Sequence, residues 1–331
     1  MKKYGLLCAG LIAAATSVGS TSNAAEIKDQ ATRHYNPSAR LTSAKTQYPI
    51  VFGHGAFGFD SILGIDYFYG ILPDLARNGA DAWATKMSTL NSNEVRGEQM
   101  LQQVEEILAI TGKAKVNLIG HSHGGQAARY VAGIIPNQVA SVTTIGSGSR
   151  GAKLADILDG VLLGGVLEGP ARLIFDKLVG PAITFAQGVQ NSLFPIDAKA
   201  ALQSLASKES LAFNKRFPNG VPTTECGEGA YQVNNTKFYS FGGQGGGIPN
   251  LLDPTEASML LLKPLANDAG GSDGVAGRCS SRFGKVLNDT YKWNHMDEVN
   301  QVFGIVGLGL FTADPVQVYR QHAQLLKAQG L

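Results

Sequence analysis

Gly120-His121-Ser122-His123-Gly124 follows the apolar run Val116-Asn117-Leu118-Ile119, and this stretch decides the fold. It fits the pattern Gly-x-Ser-x-Gly, in which a serine occupies a strained turn between a strand and a helix. Gly125 comes next, and the residues from Gln126 to Val131 read as the start of a helix. The alternative is a glycine-rich turn with an incidental serine, which the flanking strand and helix disfavour. The stretch therefore predicts an exposed nucleophilic hydroxyl at Ser122.

Length and composition indicate a globular protein with a sizeable core. The chain has 331 residues, of which 44% are hydrophobic, and it shows no linker-like break. We therefore expect a single domain over residues 25–331. The formal net charge is +2 and there is no run of Lys and Arg. A nucleic-acid partner is not expected, because nucleic-acid binders usually carry a concentrated basic face.

The first 24 residues have the features of a secretory signal peptide. Met1-Lys2-Lys3 is positively charged, Leu6 to Ala15 is apolar, and Ser22-Asn23-Ala24 is a small-residue cleavage site. A membrane anchor is the alternative, but the apolar span is shorter than the ~20 residues a bilayer crossing requires. We therefore expect a protein that is secreted via the periplasm and becomes extracellular. Cleavage removes one of the three cysteines, and the remaining pair, Cys226 and Cys279, predicts a disulfide in an exported chain, with two buried thiols as the alternative.

Strand and helix patterns alternate along the chain. This alternation predicts an α/β fold with a mainly parallel sheet and helices on both faces. The predicted helices are 67–76 with Asp66 as its cap, 91–112 with a capping box at Asn91 and Glu94, and one from Asp314-Pro315 that buries Val316, Tyr319, Ala323 and Leu326. The predicted strands are 48–53, 82–87, 116–119, 142–145 and 237–241, and Gly242 to Gly247 reads as a flexible loop rather than a phosphate loop.

Ser122 needs a histidine to take its proton, and that histidine needs a carboxylate to fix its tautomer. In a fold with a nucleophile elbow, the chain order is serine, acid, histidine. Two histidines follow the elbow. His322 falls within the last predicted helix, whereas His295 lies in a polar stretch suited to a loop, so we favour His295. For the acid, Asp273 lies between glycines, but Asp253, Asp268 and Asp289 remain competitors by spacing alone.

The same reasoning predicts two backbone N–H donors for an oxyanion. One belongs to His123, which follows the nucleophile. The second belongs to Ala56, in the glycine-rich loop from Gly53 to Asp60 after the first predicted strand. A glycine-rich strand end with a buried histidine at position 54 is the alternative for that loop.

Four stretches together resemble the bacterial true lipases of the Pseudomonas and Burkholderia type, which have the α/β-hydrolase fold. The resemblance covers nearly all of the chain after the signal peptide. It implies a triacylglycerol lipase with nucleophile Ser122, acid Asp273, base His295, and oxyanion donors Ala56 and His123. The stretches are Val51 to Gly55, Glu94 to Gln99, Val116 to Gly125, and Asn294 to Gln301.

The resemblance also implies a structural calcium ion, the disulfide, and a steric foldase as a folding partner. The calcium ligands map onto the carboxylates of Asp253 and Asp297 and the backbone oxygens of Gln301 and Ile305. Oxygen ligands alone suit this hard cation. We expect the mature protein to be a monomer.

A helical lid or cap insertion is expected around residues 150–200. Leucines and isoleucine between Leu154 and Phe185 are interrupted by charged residues, which indicates amphipathic helices with a broad apolar face. A lid would turn this face toward a lipid phase, while a cap that stays against the core is the alternative. The family often carries Met or Leu where this chain has Ala56, a departure that would widen the acyl pocket. A carboxylesterase for small soluble esters and a non-catalytic lipid-binding module are the alternative functions.

Overall fold

The computed structural model describes residues 31–62, 65–162, 194–309 and 312–331. The predicted signal peptide and most of the predicted lid segment lie outside these described residues. Within the described ranges, no helix is both long enough and apolar enough to span a membrane.

A central sheet organises the described part of the chain. The described strands are β1 Thr32–Tyr35, β2 Ile50–Gly53, β3 Ser61–Ile62, β4 Ile65–Asp66, β5 Asp81–Ala84, β6 Val116–His121, β7 Val139–Ile145, β8 Gln232–Val233, β9 Thr236–Gly243 and β10 Lys285–Tyr291. The strand order in the central sheet is β1-β5-β2-β6-β7-β9-β10, with the short β8 beside β9, and β3 and β4 form a separate hairpin. All pairs from β5 to β10 along this path are parallel, while β1 and β8 are antiparallel to their neighbours.

Helices connect most of the parallel strands, and the described residues form eight α-helices. They are α1 Ile71–Arg77, α2 Asn93–Thr111, α3 His123–Ile134, α4 Lys153–Leu162, α5 Ala198–Leu205, α6 Ser207–Arg216, α7 Glu256–Ala266 and α8 Pro315–Ala328, with short 3-10 turns at Pro136–Gln138 and Asp297–Val299.

Two apolar clusters cover the two faces of the sheet. Ile50 and Phe52 of β2 point into one cluster with residues of α1 and α8, while Val51 points into the other with residues of α2 and α3. Side chains alternate between the faces of a strand, so one buried strand serves both layers. The predicted α/β fold with helices on both faces is therefore confirmed.

Several predicted boundaries were wrong. Helix α1 begins at Ile71 with Gly70 as its N-cap, because Asp66 ends the hairpin strand β4 instead of capping a helix. Helix α2 is capped by Ser92, whose side chain accepts a hydrogen bond from the Val95 amide at 3.2 Å, and not by Asn91.

Other corrections concern strand ends and the last helix. Helix α3 begins directly after Ser122. Gly242 and Gly243 belong to β9 rather than to a loop, and β1 and β10 had not been predicted. The cap of α8 is confirmed, since the Asp314 carboxylate accepts from the Val316 amide at 2.9 Å, although Val316 itself is only partly buried.

Cys226 and Cys279 form a disulfide, as the sequence predicts. The bond closes a stretch with a sequence separation of 53 residues. Cross-linking a loop of this length restricts the unfolded chain and stabilises the fold by about 4 kcal/mol in the chain-entropy account. We expect the Cys226→Ser, Cys279→Ser double variant to lose about this free energy of unfolding in urea titrations. An unfolding free energy equal to that of the unsubstituted protein would contradict this prediction.

Candidate active site

The Ser122 side chain lies at the centre of the sheet, between β6 and α3. Its backbone has φ 53° and ψ −129°, and its N–H donates to the Ile145 carbonyl at 2.8 Å. A non-glycine residue with positive φ is strained, and such strain is typical of functional turns. The turn needs its glycines, because a Cβ at Gly120 would lie 2.3 Å from the Gly124 oxygen, and one at Gly124 would lie 2.2 Å from the Gly53 oxygen. The fold therefore holds this serine in a fixed, sharp elbow.

His295 lies in the loop after β10 and is paired with Asp273 from the loop between α7 and β10. Nδ1 of His295 is 2.7 Å from Oδ2 of Asp273, and both side chains are buried. The His295 amide also donates to the Asp273 carbonyl at 2.9 Å. The other carboxylate oxygen accepts from the amides of Val275 and Ala276 at 2.8 and 2.7 Å. A carboxylate acceptor on Nδ1 leaves Nε2 available to take a proton.

The competing candidates lie elsewhere. Asp268 accepts from the Gly270 and Ser280 amides within its own loop, and Asp289 pairs with Arg278 and Arg282. His322 is buried in α8, and its Nε2 lies 2.7 Å from the Thr143 hydroxyl. Asp253 contacts Asn294, which precedes His295, but the carboxylate hydrogen-bonded to the His295 ring is that of Asp273.

One cavity of about 560 Å³ joins Ser122 and His295. This volume falls within the range of small-ligand sites. Its walls come from the loop after β2 and from α4, α5 and α7, and they are predominantly apolar. Side chains that line it include those of Ala56, Leu90, Ala155, Leu158, Met259 and Leu262.

The residues that carry the two predicted oxyanion donors are adjacent to the nucleophile in the chain or lie in a loop packed against it. A Cβ at Gly55 would lie 2.8 Å from the Ser122 Cβ and 3.3 Å from its Oγ, so the loop leading to Ala56 runs directly against the nucleophile. Ala56 lines the cavity. His123 is the first residue of α3, and its N–H lacks an acceptor within the helix.

A buried polar chain lies behind the His295 ring. The ring of His121 is tilted against that of His295 with centroids 4.5 Å apart. Nδ1 of His121 lies 2.8 Å from the Tyr67 hydroxyl, and its Nε2 lies 3.1 Å from Oε2 of Glu298. Burial, followed by the nearby His295, lowers the pKa of His121 well below its usual value, so this ring is neutral.

Glu298 is the second carboxyl group beside the catalytic candidates. Its Oε2 is 3.7 Å from Nδ1 of His295, and its Oε1 accepts from the Gly243 amide at 2.6 Å. Burial, followed by the charge of Asp273, raises the pKa of Glu298 well above its usual value. Two buried carboxyl groups beside one imidazole do not both ionise readily, and the raised pKa favours the protonated form of Glu298. One nitrogen or oxygen atom from each of His121, His295 and Glu298 lies within 4.8 Å of the others, a spacing that a metal ion could bridge. All three side chains, however, already take part in the hydrogen bonds described above.

The predicted calcium carboxylates lie around Asn294. The Asn294 amide donates to Oδ2 of Asp297 at 2.9 Å, and its side-chain nitrogen lies 3.5 Å from Asp253 and 3.1 Å from Glu256. Among the described residues, Oδ1 of Asp297 is buried without a hydrogen-bond partner. Burial, followed by the charges of Asp253 and Glu256, raises the pKa of Asp297 to about 7. A cluster of buried carboxylates with an unpartnered oxygen is suited to a hard cation.

The two predicted backbone ligands lie in the loop that follows. Within the described part of the chain, no hydrogen bond reaches the carbonyl oxygen of Gln301 or of Ile305. The Gln301 side chain anchors this loop by donating to the carbonyls of Asp66 and Tyr67 at 2.7 and 3.1 Å. The two backbone oxygens that the resemblance implies as calcium ligands therefore lie in one anchored loop, and no hydrogen bond from a described residue occupies them.

Arg96 is fully buried and holds the backbone beside the serine. Its guanidinium donates to the carbonyls of His54 and Gly55 at 2.5 and 3.2 Å, and also to those of Ser88 and Thr89. Burial lowers the pKa of Arg96 to about 9. The planar guanidinium group thus holds the segments 54–55 and 88–89 together, and the first of these leads into Ala56.

We expect Arg96→Lys to lower kcat for a soluble ester by about a hundredfold, because a point-like ammonium cannot hold both segments and small misplacements at a reacting centre are costly. KM should change much less than kcat, since the apolar cavity walls stay in place. Steady-state kinetics on p-nitrophenyl butyrate measure both constants, and Arg33→Lys, at an exposed salt bridge with Asp81, is the matched control. A kcat equal to that of the control would refute the positioning role.

Residues 48–299 match the α/β hydrolase fold family. A triacylglycerol lipase from Vibrio cholerae is 46% identical over 287 residues, which cover 87% of this chain and 90% of the relative. The chain belongs to the bacterial triacylglycerol lipase family. Further members are similar over nearly the same range: the lipase of Burkholderia plantarii is 36% identical over 88% of both chains, and that of Pseudomonas fragi is 35% identical over 87% of this chain and 99% of its own. The predicted family is thereby confirmed.

A solved structure supports the overall fold. The crystal structure of a mature Bacillus licheniformis lipase aligns with a TM-score of 0.59, covering 90% of this chain and 98% of its own. Its sequence identity is 20%, so this likeness shows the fold alone.

Three residues at this lipase's site were missed from the sequence. Glu298 lies within the stretch Asn294 to Gln301, but nothing in its spacing separates it from the adjacent Asp297. Tyr67 was expected in a helix and instead reaches His121 from the chain before α1. Arg96 was noted only as part of the stretch that resembles the family, and no role was predicted for it. A charged residue on the buried side of a helix nevertheless indicates a structural or functional role.

Proposed function

We propose that this protein is a secreted triacylglycerol lipase that hydrolyses long-chain acylglycerol esters through an acyl-enzyme. One observation carries the proposal: Ser122 in its strained turn and His295, which is hydrogen-bonded to Asp273, border the same apolar cavity. Nucleophile, base and acid are the three groups that acyl transfer needs, and apolar walls suit a hydrocarbon chain. Membership of the triacylglycerol lipase family supports the same reaction.

In the proposed mechanism, Oγ of Ser122 attacks the ester carbonyl while Nε2 of His295 takes the hydroxyl proton. Asp273 keeps the imidazole in its Nδ1–H tautomer and stabilises the imidazolium. The N–H groups of Ala56 and His123 donate to the oxyanion of the tetrahedral intermediate. The intermediate then expels the alcohol, which receives the proton from His295, and leaves an ester on Ser122.

In the second half of the proposed mechanism, water hydrolyses the acyl-enzyme. His295 takes a proton from water, the resulting hydroxide attacks the acyl-serine carbonyl, and collapse of the second tetrahedral intermediate returns that proton to Ser122. A fatty acid leaves. Each CH₂ group of the acyl chain that the cavity removes from water contributes about 0.8 kcal/mol, which favours long chains over short ones.

Emulsions of tributyrin and triolein distinguish this proposal from a carboxylesterase for small soluble esters. A lipase hydrolyses both emulsions, whereas a carboxylesterase turns over dissolved tributyrin and leaves triolein intact. Titration of released fatty acid at constant pH measures both rates. Failure to hydrolyse triolein under conditions that cleave tributyrin would reject the lipase proposal.

The catalytically silent alternative is tested by covalent labelling. A fluorophosphonate reacts with a serine only when a neighbouring base activates it. We expect stoichiometric labelling at Ser122, located by mass spectrometry of the digested protein. A non-catalytic lipid-binding module would remain unlabelled.

The proposal includes a structural calcium ion held by Asp253, Asp297 and the backbone oxygens of Gln301 and Ile305. The unpartnered Asp297 oxygen and the crowding of carboxylates support this site. A bound ion would neutralise the repulsion between these carboxylates and fix the loop that carries His295. It takes no part in the bond-making steps.

Excess chelator is therefore expected to lower the melting temperature. At a calcium concentration of about 100 Kd, a ligand that binds only the folded chain adds about 2.7 kcal/mol, so its removal should lower Tm by roughly 5 °C or more. Circular dichroism with EGTA and with added calcium measures the difference, and Asp253→Asn should remove most of it. A melting temperature that does not respond to the chelator would reject the site.

Export, folding and lid movement complete the proposal. We propose that residues 1–24 direct secretion via the periplasm and that a lipase-specific foldase assists folding. We also propose that the enzyme is a monomer and that a lid between α4 and α5 opens at an oil–water interface. Residues 163–193, which make up most of the lid segment predicted around 150–200, lie outside the described residues, and α4 and α5 precede and follow them in the chain. Active protein from expression without a foldase would contradict the foldase proposal, and an unprocessed N-terminus in the culture medium would contradict cleavage.

A further inference from the structure

Two loops near the cavity expose large apolar side chains. Leu251 is 95% exposed and Leu252 is 78% exposed, and Ile248, Phe303 and Leu308 are each more than half exposed. Single exposed leucines are common on protein surfaces, but a concentration of apolar groups marks an interaction site. We define residues 246–252 and 302–309 as the apolar lip.

The two segments of the apolar lip lie side by side. The Leu308 amide donates to the Ile248 carbonyl at 2.8 Å, which forms an isolated antiparallel bridge between the segments. The Asn250 side chain also donates to the Val306 carbonyl at 3.0 Å. The exposed apolar side chains therefore belong to one connected surface rather than to two separate loops.

This surface borders the mouth of the substrate cavity. Pro254 and Thr255, which follow the first segment, line the cavity, as does Val302 at the start of the second. On α7, Met259 and Leu262 line the cavity. The neighbouring Leu260 and Leu261 are almost half exposed and extend the apolar surface.

The charge pattern identifies the partner. Neither segment of the apolar lip contains Asp, Glu, Lys, Arg or His. A protein partner in water usually meets a polar rim around a small apolar centre, whereas hydrocarbon requires no polar complement. An insoluble ester reaches Ser122 only if the lipid phase itself meets the rim of the cavity, and this rim is uncharged and apolar.

We propose that the apolar lip docks the enzyme on a lipid surface, with Leu251 and Leu252 inserted among acyl chains. This docking is separate from any movement of a lid. It rests on the proposed lipase function, since it presents the cavity to aggregated substrate. The calcium ligand positions Asp253 and Ile305 adjoin or belong to the same two segments, so the proposed ion would also brace the docking surface.

The test uses the secreted protein with Leu251→Ser and Leu252→Ser together. Binding to vesicles of dioleoylphosphatidylcholine is measured by sedimentation in a Ser122→Ala background, so that hydrolysis does not alter the vesicles. Turnover of dissolved p-nitrophenyl butyrate is measured in the active background. The matched control replaces Ile110 and Ile134 by Ser, because both are about half exposed and lie at the ends of α2 and α3 that face away from the elbow.

We expect the double lip variant to bind vesicles at least about tenfold more weakly than the control, while both hydrolyse the dissolved ester like the unsubstituted enzyme. Vesicle affinity equal to that of the control would overturn the proposal. A dimer that the lip substitutions dissociate, with vesicle binding unchanged, would also overturn it by identifying a second copy as the partner. Absence of ester hydrolysis by the unsubstituted enzyme would refute the proposed function instead, and the vesicle measurement would still decide the docking.

Discussion

Ser122→Ala should reduce kcat for tributyrin by about a million-fold and leave the fold intact. Removal of Oγ removes the only atom that forms the acyl bond, and the alanine keeps the Cβ and the strained φ of 53°. The melting temperature should therefore stay close to that of the unsubstituted protein. Initial rates on tributyrin and thermal melts by circular dichroism measure the two quantities.

Ser147→Ala is the matched control for Ser122→Ala. Ser147 is buried at the same elbow, where its hydroxyl donates to the Ser122 carbonyl at 2.6 Å, but it does not line the cavity. This variant should retain most of the activity. Turnover by Ser122→Ala within tenfold of this control would mean that another group is the nucleophile.

Asp273→Asn should lower kcat by about a hundredfold, and the Asp273→Asn, Glu298→Gln double variant by about ten-thousandfold. An amide in place of the Asp273 carboxylate no longer fixes the Nδ1–H tautomer of His295. Glu298 is then the nearest carboxyl group, at 3.7 Å from the same nitrogen, and the loss of the Asp273 charge lowers its pKa toward ionisation.

Kinetics on p-nitrophenyl butyrate over a range of pH test the relation between the two carboxyl groups. The single variant should need a higher pH than the unsubstituted enzyme to reach its maximal rate, because Glu298 must ionise first. Asp289→Asn, a competitor by sequence that pairs with two arginines, is the control and should keep its catalytic rate. Equal losses in the single and double variants would show that Glu298 does not substitute for Asp273.

The parts of the site that depend on local geometry could be predicted from the sequence. A serine between small residues after an apolar strand permits few structures, so the position of Ser122 followed from its neighbours. The order serine, acid, histidine then reduced the base to His295 or His322, and helix periodicity separated them. The four carboxylates could not be separated in this way, because a loop residue's partner depends on tertiary structure.

Long-range contacts explain what the sequence left out. Strand β4 ends at Asp66, the predicted helix cap, and Tyr67 contacts His121 from the segment between β4 and the start of α1 at Ile71. Strand β10 has a partly exposed, polar sequence and is a strand because β9 pairs with it. Neither contact leaves a periodic pattern in its own segment.

The three groups that the proposed reaction requires are supported very unequally. The serine follows a central strand of the sheet, whereas the acid and the histidine lie on loops that a disulfide and a few hydrogen bonds hold in place. Loops of this kind open at lower free energy than the strands beneath them. On warming, Asp273 and His295 should therefore move away from Ser122 while the sheet is still folded. The midpoint temperature of heat inactivation should then lie below the melting temperature of the whole protein.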